Sequence, residues 1–314
     1  MKTGIMLFLV SSLFIPANAQ VTYPYPLHNI TLHIEKQEVK MAYMDVSANT
    51  PNGNSVILFH GKNFNGYYWK DVIKALVEKG YRVIVPDQVG WGRSDKPNIH
   101  YSFHMLADNN RKLLDSLQIK SVIVIGHSMG GMLATRFTLM YPAMVEKLVL
   151  EDPIGLEDYK TFIPYRPLDS LFANEMKATY ASYKKYQQGY FPEWKPEYEQ
   201  YVIAQAEPLY KSHFEKTAWA NALTYQMIYE QPVVYEFKDI SAPTLLIIGQ
   251  EDRTVVGKNM LTEEQKKVRG QYPELGNKIN GEIQGSKLVE LEGVGHIPHV
   301  QEFEKFKEAL FGFL

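Results

Sequence analysis

Cysteine is absent from all 314 residues of the chain. That absence excludes disulfides, thiolate metal sites, iron–sulfur clusters and a cysteine nucleophile. It also excludes a lipid anchor attached to a new N-terminal cysteine. An excess of either charge is missing too: 33 basic against 35 acidic residues give a formal net charge of −2. No electrostatic footprint for nucleic acid or an anionic membrane surface stands out. Internal repeats and low-complexity segments are lacking. So is the H-E-x-x-H metal motif, and His28 and His33, five apart in a strand-like stretch, face opposite sides of it.

Long apolar runs are also missing. Ile5 to Ile15 is mostly apolar, but shorter than the roughly 18 residues that span a bilayer, and no later run reaches that length. Met1 and Lys2 precede it and Ala17-Asn18-Ala19 follows, so residues 1–19 read as a secretory signal peptide cleaved after Ala19, with an uncleaved anchor as the alternative. The expected mature chain starts at Gln20, is secreted or periplasmic, has no stable membrane span and does not rely on disulfides.

What is present is a globular composition, 45% hydrophobic and 22% charged. Thr31–Ile34 and Val39–Val46 have the pattern of a leading antiparallel pair. Val56–Phe59, Val83–Val85, Val122–Ile125, Leu148–Leu150 and Leu245–Ile248 are short, continuous apolar runs, as expected of parallel strands buried on both faces. Helical spacing lies between them, over Trp69–Lys79, Phe103–Leu117 and Met129–Met140. Strand and helix alternate, which predicts an α/β architecture: a mostly parallel twisted sheet flanked by helices. Alternation stops after Leu150 and resumes near Pro243, and the interval carries 12 of the 21 tyrosines. Residues 153–240 are therefore expected to form a helical cap inserted into a core of residues 20–152 and 241–314. A second excursion, Gly257 to Gly285, is charged and helical in character.

Gly126-His127-Ser128-Met129-Gly130-Gly131 joins the run ending at Ile125 to a helix starting near Met132. G-x-S-x-G turns up by chance in about one chain of this length in ten, so its placement between strand and helix carries the weight. Such a sharp turn holds its apex side chain, Ser128, away from the backbone, and glycines let strand and helix approach. Serine needs a positioned base, itself oriented by a third group. His296, in Gly293-Val294-Gly295-His296 just past Lys287–Leu291, is the expected base, with His299 as its rival. Asp252, in Gly249-Gln250-Glu251-Asp252-Arg253, is the expected acid, with Glu251 and Asp152 as rivals. The second strand-end turn, His60-Gly61-Lys62-Asn63, offers backbone donors for an oxyanion. The amides of Lys62 and Met129 are the expected pair, with Asn63 the alternative to Lys62.

These motifs, together with Pro86-Asp87-Gln88-Val89-Gly90-Trp91-Gly92-Arg93-Ser94, resemble those of the α/β-hydrolase superfamily in its capped esterase and lipase-like branch. The resemblance covers about 55–150 and 243–314, and implies a hydrolase that needs neither cofactor nor metal. Serine at the apex, where dehalogenating and epoxide-opening relatives carry aspartate, disfavours those activities. Met129, where proline-removing peptidases usually have tryptophan, makes a peptidase the lesser reading. Carbon–carbon hydrolases of ring-cleavage diketones share a Ser-Met-Gly-Gly elbow and are the nearest rivals. A ligand-binding member without catalysis is the alternative of another class. The expected reaction is acyl transfer on a carboxylic ester. Aromatic residues in the cap suggest a small to medium hydrophobic or aromatic substrate, although aromatic residues at helical spacing more often pack against the sheet domain than line a pocket. Oligomeric state is not encoded in any pattern here.

Overall fold

Runs of β-branched residues dictate where the strands fall. In the computed structural model, which describes residues 21–314, they are β1 Leu27–Ile34, β2 Gln37–Val46, β3 Ser55–Phe59, β4 Arg82–Pro86, β5 Val122–His127, β6 Val145–Glu151, β7 Thr244–Gly249 and β8 Lys287–Leu291. They form one eight-stranded sheet in the order β1-β2-β4-β3-β5-β6-β7-β8. β1 and β2 pair antiparallel around Glu35 and Lys36, both at positive φ, and β2 runs antiparallel to β4; all other neighbours are parallel. The signal-peptide reading of residues 1–19 lies outside the described residues. Among the described residues, no helix is long and apolar enough to cross a membrane.

The helices are α1 Lys70–Glu78, α2 Phe103–Ser116, α3 Met129–Met140, α4 Leu168–Glu175, α5 Tyr180–Gln188, α6 Glu199–Ala206, α7 Phe214–Glu230, α8 Glu263–Lys266, α9 Tyr272–Glu282, α10 Pro298–Gln301 and α11 Phe303–Phe311. Successive residues of a strand point to opposite faces, and β3 shows the consequence. Val56 and Leu58 join the cluster containing Ile73 and Leu76 of α1 and Phe306 and Leu310 of α11. Ile57 and Phe59 join the cluster with Leu113 of α2, Phe137 of α3 and Ile279 of α9. Both faces of the sheet are thus covered, and the turns at the carboxyl ends of its strands are left to carry chemistry.

Between β6 and β7 the chain forms α4 to α7 and no strand. Its aromatic residues are mostly structural. Phe191 stacks on Tyr198 with ring centroids 4.0 Å apart. Tyr190, Phe191, Tyr198 and Tyr201 extend the cluster around Trp69, while Tyr159 and Tyr229 extend the other. The packing account of these aromatics is the one the structure supports.

Candidate active site

Strand β5 ends at His127, and helix α3 begins at Met129, leaving one residue for the turn. Ser128 adopts φ 57°, ψ −121°, a conformation that costs a non-glycine residue about 1–3 kcal/mol. Three backbone hydrogen bonds hold it there: Ser128 N–H donates to the Glu151 carbonyl at 3.1 Å, and its own carbonyl accepts from Gly131 at 2.8 Å and Ile154 at 3.1 Å. The flanking glycines are required by contact. A Cβ on Gly126 would sit 2.2 Å from the Gly130 carbonyl oxygen, and one on Gly130 would sit 2.0 Å from that of Phe59.

Ser128, His296 and Asp252, predicted from three separate stretches, meet. His296 Nε2 lies 2.9 Å from Ser128 Oγ. His296 Nδ1 lies 2.6 Å from Asp252 Oδ2. The other carboxylate oxygen accepts the Thr254 N–H at 2.8 Å, which fixes its orientation. An ionised carboxylate only accepts, so Nδ1 carries the proton and Nε2 is left to accept the serine hydroxyl proton. His296 and Asp252 are each 1% exposed and Ser128 is 6% exposed.

The rivals are placed elsewhere. Glu251 is exposed. Asp152 is buried and accepts from the Gly249 N–H at 3.0 and 3.2 Å. Burial, reinforced by the charges of Asp252 and Glu151, pushes its pKa well above the usual carboxylate range. His299 turns its Nδ1 to Glu151, 2.8 Å away, and stacks on Trp69. The amides of Lys62 and Met129 meet no protein acceptor among the described residues, as befits a turn and a helix start. The Lys62 carbonyl is pinned by Trp91 Nε1–H at 2.6 Å.

His60 and His127 prove to be ties between loops. His60 Nε2 accepts the Gln88 N–H at 3.0 Å, so its Nδ1–H donates to the Gly61 carbonyl at 2.9 Å. His127 Nε2–H donates to the His296 carbonyl at 2.7 Å, and its Nδ1 accepts from the Tyr68 hydroxyl at 3.0 Å. Tyr68 oxygen in turn accepts the Gly61 N–H at 2.9 Å. One run of hydrogen bonds thereby joins the β3 turn, the elbow and the backbone of the His296 loop. It requires a neutral imidazole, and burial, with His296 and His299 adjacent, draws the His127 pKa well below its ordinary value.

Two contributors escaped the sequence. Tyr68 sits in an unremarkable Gly-Tyr-Tyr-Trp stretch. Tyr190 follows α5: its carbonyl accepts the His296 N–H at 2.8 Å, its ring stacks on the His296 imidazole, and its hydroxyl accepts from Asn63 Nδ2 at 2.8 Å. No periodicity announces either role.

Beyond Asn63 opens a cavity of about 220 Å³. The β3 turn forms one wall, the loop after β4 another, and α5 to α7 the rest. Tyr183 is its one lining residue among the tyrosines of 153–240; otherwise that wall is mostly polar. Ser128, Met129, Asp252 and His296 are not among the residues that line it, so the cavity borders the turn that carries Lys62 rather than the serine itself.

The sheet order, the strained serine at the β5–α3 turn and the buried histidine and carboxylate beyond β8 and β7 define a hydrolase architecture. A family model for the alpha/beta hydrolase fold matches residues 54–303, and the chain belongs to that family. It superposes on a Pseudomonas aeruginosa protein described as a probable hydrolytic enzyme with a TM-score of 0.92, at 43% identity, over 93% of this chain and 95% of that one. An esterase from Exiguobacterium antarcticum shares the fold, with a TM-score of 0.71 at 22% identity over 91% of this chain and 99% of its own. An AB hydrolase superfamily protein of Bacillus subtilis is 34% identical over 158 residues, which is 50% of each chain. The matched part spans 29% to 56% of the length of the curated relatives it resembles.

Proposed function

We propose that the protein is a serine hydrolase that cleaves a carboxylic ester through an acyl-enzyme. The observation that carries this reading is the continuous line of contacts from Ser128 Oγ to His296 Nε2 and from His296 Nδ1 to Asp252, at 2.9 and 2.6 Å. His296 accepts the hydroxyl proton as Ser128 attacks the ester carbonyl. Asp252 stabilises the imidazolium, and the amides of Met129 and Lys62 receive the oxyanion. Collapse expels the alcohol, which takes the proton from His296. Water, deprotonated by the same imidazole, then releases the acid and restores Ser128.

Residues 153–240 are the proposed cap, supported by the seat of Tyr190 on His296. The esterase relative is consistent with ester chemistry on this scaffold. The pattern of residues 1–19 supports export with cleavage after Ala19, which N-terminal sequencing of the exported protein tests. For the reaction, the test is hydrolysis of p-nitrophenyl esters from acetate to dodecanoate by wild type and Ser128→Ala. Serine-dependent turnover supports the reading. Labelling of Ser128 by a fluorophosphonate without turnover of any ester redirects it to a carbon–carbon or amide bond, and neither labelling nor turnover favours a ligand-binding role.

A further inference from the structure

The cavity beyond Asn63 is furnished with cations. Lys62, Arg93, Lys96 and Lys211 line it together with the imidazole of His213, against Glu207. Two of the cations are already committed. Arg93 pairs with Glu207 at 2.7 Å, and Lys96 Nζ donates to the carbonyls of Gly92 and Ser94 at 2.9 and 3.0 Å. Lys62 is different: among the described residues its ammonium has neither a hydrogen bond nor a carboxylate within ion-pair distance. Burial draws the Lys62 pKa below its ordinary value, opposed by the charge of Glu175. Lys62 is half-buried, and an ammonium that has lost part of its hydration without a close partner gains more from an arriving anion than a fully solvated or paired one does.

Thr217 lines the same cavity, but its unpartnered hydroxyl oxygen is itself covered by protein, so the Lys62 ammonium is the group that an arriving anion meets. The turn that carries Lys62 is next to the chemistry, while Ser128 and His296 do not themselves line the cavity. Lys62 follows Gly61, whose missing Cβ would lie 3.2 Å from Ser128 Cβ, and Asn63 is bonded to the tyrosine that stacks on His296.

Resting on the ester-hydrolase reading, we propose that the Lys62 ammonium seats a carboxylate of the substrate, so that the preferred esters carry an anionic group on their acyl or alcohol part. Two matched pairs test this: mono-p-nitrophenyl glutarate against the p-nitrophenyl ester of glutaric monoamide, and 4-acetoxybenzoate against 4-acetoxybenzamide. The expected result is a preference of about tenfold or more in kcat/KM for the carboxylate member of at least one pair. That ratio falls towards one in Lys62→Met and in Lys62→Gln, and shrinks as salt is raised. No preference in either pair, or a preference that survives both substitutions, overturns the proposal and leaves Lys62 balanced by Glu175 alone.

Failure of the ester reading itself shows as no turnover of any of the four esters by wild type. The subsite is then decided by calorimetric binding of glutarate and of benzoate. Binding weakened tenfold or more by Lys62→Met supports it, and absent or unchanged binding of both overturns it.

Discussion

Two imidazole–carboxylate pairs lie side by side beneath the carboxyl ends of the strands, and they differ in what meets the far nitrogen. In one, Asp252 holds His296 Nδ1 at 2.6 Å and Nε2 faces Ser128. In the other, Glu151 holds His299 Nδ1 at 2.8 Å, while Nε2 meets no partner and the ring stacks on Trp69, centroids 4.2 Å apart. The histidines are three residues apart and both buried. A buried histidine on a carboxylate is therefore not by itself a catalytic signature. The second pair fastens α10 to the end of β6, since Glu151 also accepts the His299 N–H at 2.8 Å, and we read it as structural.

Each way of breaking this contrast has its own expected size. Ser128→Ala removes the group that distinguishes the pairs, and should lower kcat on p-nitrophenyl acetate by about 10⁴-fold or more with the thermal melt unchanged. Asp252→Asn disturbs the tautomer that leaves Nε2 free to accept, and should cost about 10³ to 10⁴-fold in kcat. Glu151→Gln, the same change on the neighbouring pair, should leave kcat within a few-fold while urea unfolding shows a loss of about 1–3 kcal/mol. A loss of activity as deep as that of Asp252→Asn would merge the two pairs into one unit.

The smallest effect belongs to the third carboxylate. Asp152 holds its proton above the usual carboxylate range, whereas in the unfolded chain it ionises near pH 4. Wild-type stability thus falls as pH rises through that window, because the unfolded state has released a proton that the folded state keeps. Asp152→Asn has no proton to lose. Its stability relative to wild type should improve from pH 4 towards neutrality, with kcat unchanged, and an activity loss matching that of Asp252→Asn would reverse the assignment of the acid.

The legible parts of the site are those fixed by backbone geometry. Ser128, His296 and Asp252 each follow a recognisable apolar strand, and Gly126 and Gly130 stand where a Cβ would meet a carbonyl oxygen. The element pattern was legible for the same reason: β8 spans Lys287–Leu291 and α3 spans Met129–Met140, as the residue runs suggest. The choice among Asp252, Glu251 and Asp152 was less so, because all three follow strand ends and only side-chain direction and burial separate them. Tyr190 was illegible: it reaches Asn63 across 127 residues, and such a contact leaves no local pattern. The polarity of the cavity was hidden for a further reason. Tyrosines at helical spacing look alike whether they pack, as Tyr198 and Tyr201 do, or line a cavity, as Tyr183 does.

Ser128 is proposed as the one activated nucleophile, with the Asp252–His296 pair, not Glu151–His299, activating it. The most direct measurement is the rate of fluorophosphonate labelling, followed by intact mass and peptide mapping, in wild type, Asp252→Asn and Glu151→Gln. The expected result is a single adduct on Ser128, formed far more slowly in Asp252→Asn and at the wild-type rate in Glu151→Gln. An adduct elsewhere, or equal slowing in both variants, would contradict it.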